Sequence, residues 1–318
     1  MNTPEPFALL LPVYIRDDPD YLRAAFRSAV HDQTLPPDHV LLVRDGPVTD
    51  GLARCIEELR AGSPVPVQLV AIERSTGLGP ALDAGLIASP HDIVARMDAD
   101  DIALPNRFEI QVPLIREGAD IVGAGLIEFD DDPATPGRRR VPPIDPDDIR
   151  RYARIHDPFN HPTVIYRRSA VLAAGGYGDL PLMEDYWLFS RMLAAGARPM
   201  NVAEPLVYYR VGSGAYQRRG GREQLRSELA LQRRLRDTGL ISRTQYARNV
   251  LVRGGYRLLP WRVRRTLYRL VVAGYGERRS RAHRPLAAAP APTAPVVTQP
   301  HGATTEANAK TVRGARNP

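Results

Sequence analysis

The stretch Asp92-Ile93-Val94-Ala95-Arg96-Met97-Asp98-Ala99-Asp100-Asp101 passes from an apolar run to three carboxylates in four positions. Asp92 to Met97 reads as a buried strand. Acids clustered at the end of such a strand are costly unless something positive neutralises them. Oxygen ligands at i and i+2, here Asp98 and Asp100, suit a hard divalent cation such as Mg²⁺ or Mn²⁺, and these ions often share their coordination with substrate phosphates. Asp also opens turns and caps helices, so the pair alone leaves an ordinary turn as a reading. The next residues narrow the fold. Leu104-Pro105-Asn106-Arg107-Phe108-Glu109 opens a helical pattern, with Pro105 suited to a first helical position. The acids therefore end a strand of a strand–helix unit, where open α/β sheets hold their ligands.

Working outward, short apolar runs alternate with helical patterns. Phe7 to Tyr14, His39 to Val43 and Val65 to Ile72 read as strands before Asp92 to Met97. Asp20 to His31, Asp50 to Arg60 and Leu78 to Ala88 read as the helices between them. Leu22, Ala25, Phe26 and Ala29 give the first helix its apolar face. This order predicts an α/β fold with a mostly parallel sheet covered on both faces. Beyond the acids, the pattern predicts a helix over Arg107–Glu117, a strand over Asp120–Ala124 and a surface loop over Asp130–Pro143. A helix over Asp145–Ile155, an extended stretch over Pro162–Tyr166, helices over Ser169–Ala174 and Met183–Ala195, and a strand over Pro205–Arg210 follow. After Gly221 the chain becomes helical and basic, over Arg222–Asp237 and Ser242–Ala273. Pro285 to Pro318 has the Ala, Pro and Thr content of a disordered tail. The expected division is a catalytic domain over 1–220, a basic helical extension over 221–284 and a tail over 285–318.

The chain has 318 residues, 43% of them hydrophobic, so most of it can build a core. Cys55 is the single cysteine, which excludes an internal disulfide and suits a reducing compartment. No secretory pattern or membrane-length apolar run is present, and the expected location is the cytoplasm. The net charge is +7, carried almost wholly by arginine and concentrated after Arg210. That half could face an anionic partner.

Three further segments carry chemistry. Asp45, in the turn Asp45-Gly46-Pro47 after the second strand, can accept hydrogen bonds from a nucleobase or ribose, or simply make the turn. Gly77-Leu78-Gly79-Pro80-Ala81-Leu82-Asp83-Ala84-Gly85 lets backbone amides approach an anion, or is a tight turn into a helix. Its spacing is neither a P-loop nor a dinucleotide fingerprint. Met183-Glu184-Asp185-Tyr186-Trp187 opens a helix after a Gly-rich loop. A carboxylate there can take a proton from a hydroxyl, or can merely complement the helix dipole.

Together, Leu11-Pro12-Val13-Tyr14, Arg44-Asp45-Gly46, Gly77-Leu78-Gly79, Ala95 to Asp101, His161-Pro162-Thr163, Gly175-Gly176-Tyr177 and Glu184-Asp185 resemble glycosyltransferase family 2, over residues 7 to 220. The likeness is to bacterial members that build exopolysaccharide or other cell-surface glycans. It implies a GT-A fold, Mn²⁺ or Mg²⁺, a nucleotide-sugar donor and inversion at the anomeric carbon. A UDP-sugar is the commonest donor in that resemblance, with thymidine and guanosine nucleotides as alternatives. Carried over by motif, Pro12, Tyr14 and Asp45 would line the nucleoside pocket and Gly77 would approach the donor. Asp98 and Asp100 would be the D-x-D pair, Asp100 at the metal and Asp98 nearer the ribose or metal. Asp185 would be the catalytic base, and Arg218 and Arg219, in Gln217-Arg218-Arg219-Gly220, would cover the diphosphate. The acceptor would be a glycan or polyprenyl-linked hydroxyl, in the cytoplasm or at the inner face of the membrane.

The sequence departs from the family pattern at Arg44-Asp45-Gly46-Pro47, which has one acid fewer than the usual turn. The Gln-x-x-Arg-Trp motif of processive synthases is absent, favouring single sugar addition. Tyr256 to Val272 mixes aromatic, aliphatic and Arg residues at helical spacing, and residues 256–284 could contact an anionic bilayer or pack on the catalytic domain, the second being favoured. No nucleic-acid module is present. The competing readings are a sugar-phosphate nucleotidyltransferase, whose Gly-rich basic loop is missing after the first strand, and a catalytically silent scaffold of a glycan-assembly complex.

Overall fold

The computed structural model describes residues 4–130, 132–211 and 222–255. Its first half is the alternation read from the sequence: β1 (Phe7–Tyr14), α1 (Pro19–Phe26, continued by a π-turn to His31), β2 (His39–Asp45), α2 (Asp50–Gly62), β3 (Val67–Ile72), α3 (Leu78–Ala88) and β4 (Ile93–Arg96). The four strands lie side by side and parallel in the order β3-β2-β1-β4. Strand β1 is central, and its alternate residues feed two cores. Phe7, Leu9, Leu11 and Val13 meet Leu22, Phe26, Leu52, Phe108 and Val112 on one face. Ala8 and Leu10 meet Leu82, Leu86, Leu188 and Phe189 on the other. This two-sided burial is why β1 reads as an unbroken apolar run rather than an alternation. Pro12 is buried where the β4 pairing has already ended, at Leu10, so its missing N–H breaks no ladder on that side.

Helix α3 lies so close to the sheet that a Cβ on Gly85 would fall 2.3 Å from Leu10 Cδ1 and 2.7 Å from Val43 Cγ2. This glycine serves helix–sheet contact and not an anion. Asp18 and Asp145 each precede a proline and cap the helices they open, α1 and the helix over Pro146–Tyr152.

The second half completes a mixed sheet. After β5 (Ile102–Ala103) and α4 (Arg107–Arg116) come β6 (Ile121–Phe129), β7 (Arg139–Arg140), α5 (Pro146–Tyr152), β8 (Ile165–Arg167), α6 (Arg168–Ala173), α7 (Glu184–Ala194) and β9 (Pro199–Arg210). The path continues β4-β8-β6-β9-β5, with β7 on β6. Strand β8 is antiparallel to both neighbours, while β6 and β9 are parallel. Most of the paired register is therefore parallel, as the alternation predicted.

Three expectations needed correction. The β6 strand runs on past Ala124 to Phe129, and β9 begins at Pro199 rather than Pro205, because the two pair through an irregularity at Gly125. A Cβ there would lie 2.9 Å from Ala203 O. That glycine and Pro205 read as ends, yet they mark a bulge. Within the expected loop 130–143, Arg139 and Arg140 pair with β6. His161–Thr163 is a 3₁₀ turn and not extended, closed by the Asn160 carbonyl, which accepts from Thr163 N and Oγ1.

Helices α8 (Arg222–Asp237) and α9 (Arg243–Asn249, opened by a Ser242/Gln245 capping box), then a π-turn over Val250–Gly254, follow the sheet. Leu231, Leu235 and Ile241 pack against Leu180, Met183 and Tyr186. The extension is thus joined to the start of α7. The expected tail, the 256–284 segment and the 212–221 stretch with Arg218 and Arg219 lie outside the described residues. Among those described, no helix is long and apolar enough to cross a membrane.

Candidate active site

The chain leaves β4 at Met97, whose N–H still bonds Leu10 O, and turns at Asp98-Ala99-Asp100-Asp101 before β5. One carboxylate oxygen from each of Asp98, Asp100 and Asp101 lies within 4.8 Å of the others. Asp98 is gripped at both oxygens by the buried Arg96 guanidinium, Nη1 donating at 2.8 Å. Asp100 is at the surface, and its carboxyl is pushed up to about 6 by crowding protein first and by Asp98 next. Asp101 is fully buried. Its Oδ1 accepts from Arg210 N at 2.8 Å, while its Oδ2 is buried without a hydrogen-bond partner among the described residues. Burial, then Asp98 and Asp100, hold Asp101 well above the usual carboxylate range. Arg107, also fully buried, braces the strand end by donating to Arg96 O at 2.6 Å.

An orphaned buried carboxylate oxygen beside two further carboxylates is a donor set that a hard divalent cation fits. The sequence reading named Asp98 and Asp100 for it, whereas Asp101 supplies the atom that lacks a partner. Its own position in the motif was the available signal.

Across the strand ends, Tyr14 is half-exposed and its amide is held by Asp17 Oδ2 at 2.9 Å. The Asp17 carboxyl is pushed up to about 7, by burial first and then by Asp100 and Asp98, so it faces the acidic turn. Nothing in its loop pattern singled it out. Asp45, expected at a nucleoside, has both oxygens occupied within the chain. It accepts from Ser75 Oγ at 2.8 Å, Thr76 N at 2.7 Å, Thr76 Oγ1 at 3.1 Å and Gly77 N at 3.0 Å. Asp45 therefore anchors the 75–77 loop, and the Gly77 amide, at φ +92°, is spent on that anchor.

Asp185 opens α7. Its Oδ1 accepts from Tyr186 N at 2.7 Å, and its Oδ2 lies 3.8 Å from His161 Nδ1. Burial raises its pKa against the pull of Tyr186 N–H and Arg96. Nearby, Leu182 adopts φ +69°, unusual for a branched side chain, and Glu184 has a buried Oε2 without a partner among the described residues. Burial and Asp185 push Glu184 up to about 7. Behind Asp185, His161 Nε2 meets Tyr177 OH at 2.9 Å, and Tyr177 OH meets Tyr166 OH at 3.2 Å. Burial, with Arg96, lowers His161 well below its ordinary value, so the imidazole is neutral. Tyr177 N in turn donates to Asp83 Oδ1 on α3 at 2.8 Å. A Cβ on Gly176 would fall 2.6 Å from that same oxygen.

Arg96 ties the two groups together. It binds Asp98, and its charge acts on Asp100 and Asp101 as well as on Glu184 and Asp185. The structure thus brings the acidic turn and Asp185 around one buried guanidinium. Arg96 was not singled out for the site from sequence.

Residues 9–175 match the model of glycosyl transferase family 2. The chain belongs to this family. It is 38% identical over 269 residues to the amylovoran biosynthesis glycosyltransferase AmsE of Erwinia amylovora, covering 82% of this chain and 97% of that one. It is 34% identical over 274 residues to UDP-Gal:alpha-D-GlcNAc-diphosphoundecaprenol beta-1,3-galactosyltransferase of Escherichia coli, covering 85% and 98%. Among solved structures, S. aureus TarS 1–349 in complex with UDP-GlcNAc superposes with a TM-score of 0.60 at 15% identity, over 78% of this chain and 73% of that one. The enzyme spans 43% of the longer TarS chain. Mannosyltransferase PcManGT from Pyrobaculum calidifontis, in complex with GDP-Man and Mn²⁺, gives 0.56 at 16% identity, over 89% and 79%. The protein is a glycosyltransferase with the GT-A fold. This sets aside the nucleotidyltransferase and silent-scaffold readings.

Proposed function

We propose that the enzyme is a metal-dependent, inverting transferase that moves one sugar from a UDP-sugar to a hydroxyl of a glycan or polyprenyl-diphosphate-linked acceptor, in assembly of a surface polysaccharide. The observation that carries this reading is the grouping of Asp98, Asp100 and Asp101 with Asp185 around Arg96. The names of two relatives, an amylovoran biosynthesis enzyme and a galactosyltransferase using UDP-Gal and a diphosphoundecaprenol-linked acceptor, support the donor and acceptor classes.

Asp100 and Asp101, with Asp98, would hold Mn²⁺ or Mg²⁺. When bound, the ion supplies Lewis acidity that stabilises charge on the departing diphosphate. Asp185 takes the proton of the acceptor hydroxyl as its oxygen bonds the anomeric carbon. The bond from that carbon to the diphosphate oxygen breaks on the opposite face, and its electron pair leaves with the UDP. Such base assistance is worth roughly 10²–10⁴-fold. A carboxyl raised above its ordinary pKa suits the task, because it is a stronger base than a solvated aspartate. Arg96 keeps Asp98 oriented, and Asp45 and Asp83 brace the two loops that border the site. Tyr14 would face the nucleoside. Arg218 and Arg219 retain their proposed place over the diphosphate on sequence grounds alone, as does membrane contact through residues 256–284.

The test is transfer from UDP-galactose to GlcNAc-diphosphoundecaprenol with Mn²⁺, and the anomeric configuration of the product. UDP-glucose and UDP-GlcNAc serve as further donors. Activity abolished by EDTA, restored by Mn²⁺ and lost in Asp185→Asn is expected. Undiminished transfer in EDTA, or a retained anomer, sinks the reading.

A further inference from the structure

The motifs His161-Pro162-Thr163 and Gly175-Gly176-Tyr177 are left without a role by the transfer chemistry, yet they meet beside Asp185. The 3₁₀ turn is fixed by Thr163, whose Oγ1 accepts from Ala124 N at 2.9 Å and whose carbonyl accepts from Gln111 Nε2 at 2.9 Å. His161 then packs T-shaped against Phe189 of α7, with 5.8 Å between ring centroids, and tilted against Tyr177. Tyr177 is itself held on both sides of its main chain. Its N–H donates to Asp83 Oδ1 at 2.8 Å, and its carbonyl accepts from Arg191 Nη2 at 3.0 Å. The two nitrogens of the buried imidazole therefore meet different groups. Nε2 lies 2.9 Å from Tyr177 OH, and Nδ1 faces Asp185 Oδ2 at 3.8 Å.

A neutral imidazole has one N–H and one lone pair, and a phenol has one O–H to donate. Two directions of donation are open along this chain. If Nε2 carries the hydrogen, it donates to Tyr177, and Tyr177 donates to Tyr166 OH at 3.2 Å. The fully buried Tyr166 O–H then has no acceptor among the described residues, and the Nδ1 lone pair points at a carboxylate. If Nδ1 carries the hydrogen, Tyr166 donates to Tyr177, Tyr177 donates to Nε2, and the Nδ1–H dipole points at Asp185. The second direction leaves no buried donor unmatched and turns a repulsive contact into an attractive one. We infer that His161 is a positioning residue whose Nδ1–H, fixed by the Tyr166–Tyr177 hydroxyl chain, orients the Asp185 carboxylate toward the acceptor hydroxyl. This rests on Asp185 being the base. At 3.8 Å the two groups face each other without a hydrogen bond, and contacts of this kind tighten when substrate seats. Tyr186 N–H holds Asp185 Oδ1 and His161 faces Oδ2, so both ends of the carboxylate are set. Both tyrosines are fully buried while the Asp185 side chain stays 27% exposed, so the chain ends inside the protein and orients the base without draining its proton. The charged and titratable groups around the contact are Glu184, Asp157, Tyr177, Tyr166 and Arg96.

¹⁵N NMR of the full chain labelled at histidine, with His161 assigned by the signal lost in His161→Asn, reads the tautomer without substrate. The wild type should carry its hydrogen on Nδ1, and a hydrogen on Nε2 overturns the proposal. His161→Leu removes the donor. In transfer from UDP-galactose its kcat should fall about 10-fold with the donor KM kept. The acid limb of its pH profile should move upward by about one unit, because the Asp185 anion loses a facing dipole. His161→Asn places an amide N–H near the position of Nδ1 and should recover most of the loss. His161→Gln reaches the position of Nε2 instead and should not recover it. Both amides are polar and compact, so this pair carries the test where the leucine variant does not fold. Equal kcat and equal acid limbs in the Asn and Gln variants overturn the proposal. UDP binding with Mn²⁺ should persist in each variant, and its loss would place His161 at the donor and overturn the assignment. Transfer surviving in Asp185→Asn would instead remove the base and leave the wild-type tautomer standing, so the two failures are distinct.

Discussion

The acidic turn after β4 and the carboxyl pair at the start of α7 are built from the same residue type and behave differently. In the turn, Asp98 is neutralised by Arg96, and the Asp100 carboxylate and Asp101 Oδ2 remain for something with more charge than a proton. At α7, among the described residues, Asp185 has no cation hydrogen-bonded to it, but a backbone amide at 2.7 Å and a neutral imidazole at 3.8 Å. The first arrangement suits a metal ion and the second a proton. Geometry around a carboxylate, and not its identity, assigns its chemistry.

The largest expected effect breaks this comparison at α7. Asp185→Asn should lower kcat by roughly 10²–10⁴-fold, while calorimetry finds UDP binding with Mn²⁺ intact. Loss of that binding would mean the two clusters are one. Next, Asp101→Asn should weaken Mn²⁺ binding by at least about 10-fold, read by Mn²⁺ electron paramagnetic resonance, with the fold retained in circular dichroism. Unchanged affinity would remove Asp101 from the set.

A third prediction sharpens the contrast through pH. The Asp17 (about 7), Asp100 (about 6) and Glu184 (about 7) carboxyls are all raised in the folded protein. Their contribution to stability is complete below the unfolded value near ~4 and is lost as pH rises through 6 to 7. Metal-free protein should therefore lose melting temperature over that interval. Mn²⁺ should restore the share belonging to Asp17 and Asp100 and leave that of Glu184. An equal loss with and without Mn²⁺ would contradict a metal site at the turn. The smallest effect is a control. Gly85→Ala overpacks α3 on Leu10 and Val43 and should cost about 1–3 kcal/mol, seen in urea denaturation, with Mn²⁺ binding unaltered.

The alternation of β1 to β4 and the span of α3 were legible because two-sided burial and helical spacing are local signals. The same holds for α8, read to its observed ends. The acidic turn and Asp185 were legible as motifs. What escaped depends on contacts between distant residues. The register of β6 with β9 runs through a bulge that looks, locally, like two strand ends. Asp45 carried a recognisable motif, but only the fold reveals that residues 75–77 consume its acceptors. Arg96 was quoted as motif context, yet its burial between opposing acids follows from β4 being enclosed by β1 and β8.

The packing of Leu231, Leu235 and Ile241 on Met183 and Tyr186 has a practical consequence. A chain shortened to residue 220 would keep every strand, and by strand count it would look whole. It would nevertheless strip the apolar cover from the residues flanking Glu184 and Asp185, which the proposed mechanism needs shielded from water. On that packing, the smallest working unit is expected to be longer than the sheet.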